Sequence, residues 1–405
     1  MANTFTPTDV YGIVNAMSAQ MFGQGSLTAV DTSTFVTVGE HMLRTGYTNT
    51  LDALGYVLGK TIFAVRRYKG RFKIIMKTPA EWGGIERKIS FYAKKTEPSK
   101  FMNTDIAGSQ LDDGQSIDHY KISKKYPLEI RFIGSKTLTY RDTTWLMQLR
   151  QAFRSESEFA SFAAAKLVDI ANDLETQVDA ENRLQVLNAI GATYNVGGTR
   201  QKVNLTSEFN TKYGTAYTTA QLQTTYLKEF IAFMVARIKG DMELMRERNS
   251  LFHIFPARND DGGNALTLPR HTDPEARRLL LYMPLIRDAE TSVFPSLFST
   301  SEVRLENYEP VEYWQHPASP MAVSVNKPNQ LNVSTGQAVD GAAVSLSNVV
   351  GLLFDRDAID TSIIYEDSLT TPINADGKYY NTVYSWLFRF NQDQTENMVL
   401  YYMAD

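Results

Sequence analysis

The sequence predicts an α+β protein built from several lobes, and three observations support this prediction. A basic window from Lys60 to Lys136 mixes β-branched and aromatic residues with cations, which is typical of strands. An uninterrupted helical pattern follows from Glu156 to Ile190. Residues 348–405 then return to strand-like segments.

Composition limits the classes of protein to which the chain can belong. It has 405 residues, of which 43% are hydrophobic, and a formal net charge of -4. A sizeable core can therefore be buried, whereas a general nucleic-acid binder is disfavoured because it would carry an excess of Lys and Arg. The chain has no cysteine, which excludes disulfides, thiolate metal sites and cysteine nucleophiles. We expect no membrane span and no signal peptide, since the apolar runs are short and the N-terminus lacks a basic-then-apolar leader.

Residues 1–59 are predicted to form an N-terminal arm with short helices. Thr6 and Pro7 have the features of a helix start, and apolar residues follow them at helical spacing. Gly23 is predicted to end this helix. From Thr28 to Thr50 the residues are small and polar, so we expect an extended arm with one short helix.

Residues 60–136 form the basic window. It holds 17 Lys and Arg against 8 Asp and Glu, a net charge of +9, so the rest of the chain carries -13. An isolated two-stranded ribbon is only marginally stable, and we therefore expect the window to contact a partner. Two partners fit it: nucleic acid, bound through alternating cations and aromatic rings, or the net-acidic surface of a neighbouring copy.

Residues 137–200 contain the clearest predicted element. A short helix is predicted from Arg141 to Phe153, followed by a long helix from Glu156 to Ile190 that Gly191 would end. At 1.5 Å per residue the long helix would measure roughly 50 Å. The apolar residues predicted to form its core face are Phe159, Phe162, Leu167, Ile170, Leu174, Val178, Leu184 and Leu187.

Residues 201–347 predict a mixed α/β lobe, with another long helix from Thr219 to Arg248 and short strands separated by Pro and Asp-Gly turns. Residues 348–405 are predicted to form strands. Because the long helix needs cover on its apolar flank, we expect these last strands to pack against it.

No segment predicts a catalytic, cofactor or metal site. The stretch from Gly55 to Thr61 is one residue short of a phosphate loop, and a strand-like rather than a helical segment follows it. The five histidines are too widely spaced to form a ligand pair on one helix. The acidic loop from Arg258 to Asn264 lacks the ligand spacing of an EF-hand. We therefore predict no catalytic residue, no cofactor, no metal and no enzymatic activity.

Three carboxylates, those of Asp355, Asp357 and Asp360, lie around Arg356 at the end of an apolar run. They fit either an active-site cluster or the polar end of a buried strand. No histidine or glycine-rich cradle lies nearby in the sequence. Ion pairing and turn capping therefore explain these residues without catalysis.

The order of these parts resembles the major capsid proteins of tailed phages and herpesviruses, which share the Hong Kong 97-type fold. Short-tailed, podovirus-like phages are the group most resembled. The local matches are the long-helix sequence that begins at Ser155 and the segments NVVGLLFDRDAI, VFPSLF, PVEYWQ and TENMVLYYM. The resemblance covers most of the chain, and it is weakest over residues 251–345.

The resemblance implies a capsid fold with an N-terminal arm in residues 1–59 and an extended hairpin, the E-loop, in residues 60–136. It places the spine helix of a peripheral domain in residues 137–200 and an axial domain in residues 201–347. Residues 348–405 would return to the peripheral and axial sheet.

The function that the resemblance implies is that of a major capsid protein. Pentamers and hexamers of copies would self-assemble, in the bacterial host cytoplasm, into the icosahedral shell of the virion. The implied partners are scaffolding protein, portal and other head proteins, together with double-stranded DNA held on the inner face without sequence specificity.

The arm and the E-loop are expected to make the contacts between subunits. The residues named for the E-loop contact are Arg66, Arg67, Arg71, Lys73, Trp82, Arg87, Lys88, Lys94 and Lys95. Trp82 would be an apolar anchor, with packing inside its own loop as the alternative. Two other functions remain open at this point: a nucleic-acid-binding protein that uses residues 60–136, and an α/β enzyme whose site the sequence does not reveal.

Overall fold

The computed structural model describes residues 7–23, 27–46, 49–50, 53–54, 57, 72–77, 86–93, 116, 120, 124–152, 156–290 and 308–405. Helices and strands are interspersed along these residues, which confirms the predicted α+β class. The chain divides into two compact units. Unit 1 comprises Met1–Gly84, Gly134–Leu184 and Asp360–Phe390, and unit 2 comprises Ile85–Ile133, Gln185–Ile359 and Asn391–Asp405.

The elements have the following bounds. The helices are α1 (Pro7–Phe22), α2 (Thr32–Thr45), α3 (Leu146–Ala152), α4 (Glu156–Val196), α5 (Leu205–Tyr213), α6 (Thr219–Gln223), α7 (Leu227–Arg246) and α8 (Met283–Glu290). The strands are β1 (Glu86–Phe91), β2 (Pro127–Phe132), β3 (Ser135–Trp145), β4 (Lys202–Asn204), β5 (Arg277–Tyr282), β6 (Tyr308–Val311), β7 (Val323–Val325), β8 (Asn329–Leu331), β9 (Ala338–Asp340), β10 (Val344–Leu346), β11 (Val349–Asp355), β12 (Ile359–Thr370), β13 (Tyr379–Gln392) and β14 (Met398–Tyr402).

The first two helices belong to unit 1. Helix α1 has Pro7 at its first position and ends before Gly23, whose φ of 80° lies in the left-handed region that favours glycine. The short helix expected between Thr28 and Thr50 is α2, and it is 14 residues long. Asp31 caps α2 by accepting a hydrogen bond from the Thr34 backbone N–H at 2.8 Å.

A three-stranded antiparallel sheet, in the order β12-β13-β3, packs on α4 in unit 1. Alternate residues of β13 enter the shared core, as expected for a strand that buries one face. The expectation that late strands cover the long helix is therefore confirmed for β13. The buried side chains at this contact are Tyr380, Tyr384, Trp386 and Phe388 of β13 and Phe159, Ile170, Leu174 and Val178 of α4.

Strand β3 corrects one prediction. A helix was expected to begin at Arg141, but β3 continues to Trp145 and pairs there with Tyr379 of β13. Helix α3 begins only at Leu146. The reason is tertiary: the β-branched and aromatic residues at the end of β3 gain a long pairing partner from the far end of the chain, and that partner decides between strand and helix.

The long helix α4 corrects a second prediction, because it runs through Gly191 to Val196 and so has 41 residues. Its length is roughly 60 Å at 1.5 Å per residue. Gly191 has no special backbone conformation; a Cβ atom there would lie 3.0 Å from the Cβ of Pro328 and 3.3 Å from that of Val325. The glycine therefore allows Val325 and Pro328 of the same chain to approach the helix closely, and it does not end the helix.

Unit 2 contains a five-stranded mixed sheet in the order β4-β14-β11-β5-β6. Every residue of β11 is buried, and the apolar side of α7 belongs to the same core as this sheet. The helix predicted from Thr219 to Arg248 is two helices, α6 and α7, separated by Thr224–Tyr226. At this break, the ring of Tyr226 stacks on that of Tyr217 at 3.9 Å between centroids.

Candidate assembly surface

The strands described within the basic window, β1 and β2, form a two-stranded antiparallel ribbon at its base. This ribbon belongs to unit 2. Strands β1 and β2 pair from Glu86 opposite Phe132 to Phe91 opposite Pro127. Because side chains alternate along a strand, the ribbon has two faces with different surroundings.

One face of the ribbon is tied to unit 2 by ion pairs. Lys88 Nζ lies 2.6 Å from Asp393 Oδ2 and also pairs with Glu396. The Asp393 side chain is only 1% exposed, and burial raises the pKa of Glu396 against the opposing effect of Lys88 and Arg270. The structure thus gives Lys88 two carboxylate partners within its own chain, and a contact of Lys88 with a neighbouring subunit stays a prediction.

The opposite face of the ribbon is exposed. Ile89 and Phe91 are 50% and 55% exposed, although both are large and apolar. Arg87 lies beside them, 3.9 Å from Glu129, and Arg131 Nε donates to Glu129 Oε1 at 2.7 Å, which lowers the pKa of that carboxyl. We call the surface formed by these five residues the ribbon face.

The other residues named for the E-loop contact stay predictions. Lys73 begins a 3-10 turn, Lys73–Ile75, and only its backbone is described. The following lie outside the described residues: Arg66, Arg67, Arg71, Trp82, Lys94 and Lys95.

The predicted core face of the long helix is mostly buried. The fully buried members are Phe159, Ile170, Leu174, Val178 and Leu187. Phe162 is half-buried, and the side chain of Leu167 lies outside what the structure describes.

Leu184 departs from this core, since it is 58% exposed. The buried stripe passes instead through Asn182 and Val186, which are fully buried. Leu184 is two residues from each of them, so it lies on the opposite side of the helix. Because Asn182 is polar, a search for apolar residues at helical spacing does not assign it to the buried stripe.

The carboxylates around Arg356 have structural roles. Asp355 Oδ1 accepts a hydrogen bond from the Asp357 backbone N–H at 2.9 Å and so caps the turn after β11. Asp360 Oδ2 pairs with Lys77 Nζ at 3.0 Å. Arg356 and Asp357 form a half-exposed pair with 3.7 Å between Nε and Oδ1. The predicted polar end of a buried strand is what the structure places here.

The remaining candidate motifs are structural where the chain is described. His253 lies buried between Asn397 Oδ1 and the Leu268 carbonyl, and burial lowers its pKa. Asp260 closes the loop from Arg258 to Asn264 by accepting from the backbone N–H groups of Gly262 and Asn264. Of the stretch from Gly55 to Thr61, only Val57 belongs to the described residues.

Two searches of the described residues found nothing. They contain no group of three or more side chains that could hold a metal ion. No helix among them is both apolar and long enough to cross a bilayer.

Sequence analysis missed a buried ionic network in unit 2. Asp241 is fully buried, pairs with Arg237, and accepts a hydrogen bond from the Tyr401 hydroxyl at 2.8 Å. Arg237 also binds Glu208 through two nitrogen atoms. The spacing of Arg237 and Asp241, four residues apart on a helix, was the available sign of the pair.

Comparisons with known proteins give similarity at the level of solved structures. The chain matches no protein-family model and no curated protein. It is similar to the capsid structure of Staphylococcus phage Andhra, with 8% identity, a TM-score of 0.48 and coverage of 83% of this chain and 84% of that chain. It is also similar to the capsid structure of cyanophage P-SCSP1u, with 14% identity, a TM-score of 0.41 and coverage of 82% and 87%. Both are phage capsids. A third similar structure, that of the head fiber and inner core protein of bacteriophage P68, has 8% identity, a TM-score of 0.47 and coverage of 83% and 85%.

Proposed function

We propose that this chain is a major capsid protein, whose copies assemble into the icosahedral shell that encloses double-stranded DNA in a phage virion. The observation that carries the proposal is the ribbon face at the base of the basic window. It exposes large apolar side chains beside arginines, on a chain whose remaining residues are net acidic. The similarity to phage capsid structures is consistent with the proposal, but the proposal does not depend on it.

The ribbon face has the character of a protein interface. Exposed Ile89 and Phe91 offer apolar area to a partner, while Arg87 and Arg131 offer guanidinium groups at its rim. The opposite face is held by the buried pairs of Lys88, so the ribbon base is anchored in unit 2. A second copy supplies the matching acidic surface, because the charges outside the window sum to -13.

No observation among the described residues favours either of the two other functions. Lys88 of β1 already pairs with two buried carboxylates of its own chain, which weakens the case for a nucleic-acid-binding strand. The carboxylate cluster at Arg356 and the buried His253 are explained by turn capping and backbone contacts. We therefore propose a structural role without enzymatic activity.

The finer parts of the proposal come from the sequence resemblance. The long helix would be the spine of the peripheral domain, and residues 201–347 would belong to the axial domain. Pentamers and hexamers would form in the host cytoplasm with the help of scaffolding and portal proteins. DNA would lie on the inner face without sequence-specific contacts.

Negative-stain microscopy combined with mass photometry tests the proposal. We expect closed shells, or pentamers and hexamers, from the purified chain at low salt. Reversing Arg66, Arg67 and Arg87 to Glu should prevent their formation, and Lys88 is left intact because it stabilises unit 2. The matched control reverses three exposed cations outside both the window and the arm, Lys228, Arg246 and Arg248, and should assemble normally. A chain that stays monomeric at every salt concentration and binds DNA tightly would instead support the nucleic-acid alternative.

A further inference from the structure

Helices α5 and α7 of unit 2 form the walls of a groove with a volume of about 490 Å³. The two helices run antiparallel, as two contacts between them show. Glu208 of α5 binds Arg237 of α7. One turn later on α5, Lys212 lies over the ring of Phe233, which is one turn earlier on α7. The groove therefore follows the direction of both helices.

The floor of the groove is apolar and open to solvent. Phe233 is almost fully buried toward one end, and Leu244 toward the other end is 41% exposed. Ala236 and Gly240 lie between them on α7, and both are exposed and too small to fill the groove. A small molecule would stay largely uncovered here, whereas binding pockets bury most of their ligand. The groove therefore fits an elongated partner, such as a third helix that packs along the other two.

Gly240 lies within the groove and inside α7. A Cβ atom there would meet nothing within 4 Å, and its φ is not positive. Glycine is less favourable than alanine inside a helix, so α7 carries a destabilising residue that no contact among the described residues requires. Another chain that comes close to the helix backbone at this position would account for the glycine.

Two cations line the groove without a carboxylate partner. Arg200 and Lys212 are exposed, and within the described part of the chain neither makes an ion pair. The third cation, Arg237, is already bound by Glu208 and by the buried Asp241. Arg200 precedes α5 and Lys212 lies in its last turn, so they are separated by most of a helix that is roughly 13 Å long at 1.5 Å per residue.

We propose that the groove between α5 and α7 binds an acidic amphipathic helix of a second protein. Large apolar side chains of that helix would lie over Gly240, between Phe233 and Leu244. Carboxylates near the two ends of the contact would pair with Arg200 and Lys212. The inference does not depend on the capsid proposal, because the groove lies within one unit of a single chain.

The charges disfavour a symmetric contact of two copies through this groove. Such a contact places the same surface on both partners. Arg200 and Lys212 of one copy would then face the same two cations of the other, and like charges across an interface repel. An acidic partner has no such repulsion.

A displayed library of single-helix peptides, randomised along one face, is the probe, and the purified full chain is the target. Selection should enrich peptides with a large apolar residue at the centre of that face and Asp or Glu toward both ends. Fluorescence anisotropy of an enriched peptide should show saturable binding that weakens as salt is added. Enrichment of peptides with basic ends, or without any preference for charge, would contradict the inference.

Gly240→Leu tests the floor of the groove. The new side chain starts in open space, so the chain is expected to fold, and it fills the groove, so binding of the enriched peptide should be lost. The matched control is Gly12→Leu in α1, where a Cβ atom would likewise meet nothing within 4 Å. This control should bind the peptide normally. Circular dichroism and melting temperature would verify that both variants fold.

Arg200→Gln combined with Lys212→Gln tests the two cations. Binding should weaken about tenfold, as expected for the loss of two exposed ion pairs. The control is Lys228→Gln with Arg246→Gln, which removes the same charge from exposed positions of α7 outside the groove and should leave the affinity unchanged.

Three results would overturn the inference. The first is a library that yields no more enrichment on the wild-type chain than on the Gly240→Leu variant. The second is equal affinity of an enriched peptide for these two chains. The third is self-association that Gly240→Leu abolishes, because a second copy would then occupy the groove. Peptide binding is measured on the unassembled chain, so a failure to form shells would contradict the capsid proposal and leave this inference standing.

Discussion

Lys88 and Arg87 are neighbours in the sequence with opposite surroundings. Lys88 neutralises two carboxylates that are almost fully buried, while Arg87 lies on the ribbon face with a side chain that is 58% exposed. The strength of an ion pair depends on this difference, since removing one member of a buried pair leaves an uncompensated charge.

Replacing each of the two cations by Met tests this point. Lys88→Met should lower the free energy of unfolding by about 3 kcal/mol, because Asp393 and Glu396 would lose their counter-charge. Arg87→Met should change it by less than about 0.5 kcal/mol. Urea unfolding of the dilute, unassembled chain measures both. Equal effects of the two substitutions would contradict the role assigned to Lys88.

Asp241 makes a pH-dependent contribution to stability. Burial raises its pKa above the ordinary value of 3.8, although Arg237 and the Tyr401 hydroxyl oppose the shift. The folded state therefore binds more protons than the unfolded state between the two pKa values. The stabilisation that this carboxyl contributes is fully present below its pKa in the unfolded state. It is lost as the pH rises through its pKa in the folded state.

Asp241→Asn removes this titration and makes the sign testable. Relative to the Asn variant, the wild-type chain should become less stable as the pH is raised from about 4 to about 7. Urea unfolding at several pH values gives the difference directly. A difference that grows with pH would mean that Arg237, rather than burial, dominates the pKa of Asp241.

At the scale of elements, two helical glycines have opposite environments. Gly191 of α4 faces Pro328 and Val325 at contact distance, whereas a Cβ atom on Gly240 of α7 would meet nothing within 4 Å. Alanine is favoured over glycine inside a helix by roughly 1 kcal/mol when nothing intervenes. The tertiary contact therefore decides the sign of the substitution.

The two Gly→Ala variants should differ in direction. Gly240→Ala should stabilise the chain by about 0.5–1 kcal/mol through helix propensity. Gly191→Ala should destabilise it by about 1 kcal/mol or more, because the added methyl group overpacks the contact with Pro328. Thermal unfolding compares the two variants. Stabilisation by both would show that Pro328 and Val325 move easily enough to accommodate a methyl group at position 191.

Local periodicity predicted those elements whose own residues determine them. The long helix shows a helical period, the segments of β11, β13 and β14 show strand-like composition, and the structure contains all four elements. The misplaced boundaries depend on distant residues instead. Gly191 is held in a helix beside Pro328, and β3 is extended to Trp145 by Tyr379.

The assembly surface was only partly visible in the sequence for the same reason. The excess of positive charge in the window is local and could be counted. The different surroundings of Arg87 and Lys88 could not be predicted, since they depend on carboxylates about 300 residues further along the chain. The pairing of β3 with β13 likewise joins residues that lie far apart in the sequence, and no local pattern reveals it.

For the whole molecule, the separation of charge between the basic window and the remainder predicts that assembly depends on salt. Raising the ionic strength from 0.1 M to 1 M shortens the Debye length from about 10 Å to about 3 Å and screens exposed contacts between copies. The protein concentration needed for assembly should therefore rise steeply. Light scattering at graded concentrations of NaCl measures it. The chain with Arg66, Arg67 and Arg87 reversed to Glu should show a much flatter dependence.

The interleaving of the two units constrains when either of them can fold. Each unit is assembled from three separate stretches, and each needs residues beyond position 359: unit 1 takes Asp360–Phe390 and unit 2 takes Asn391–Asp405. The late strands are not peripheral additions, since β13 and β14 each lie between two other strands of their sheets. A ribosome that has made the first 350 residues has therefore completed neither core. Folding must wait for the last strands to emerge, and until then the apolar faces of α4 and α7 depend on chaperones or on rapid synthesis for protection.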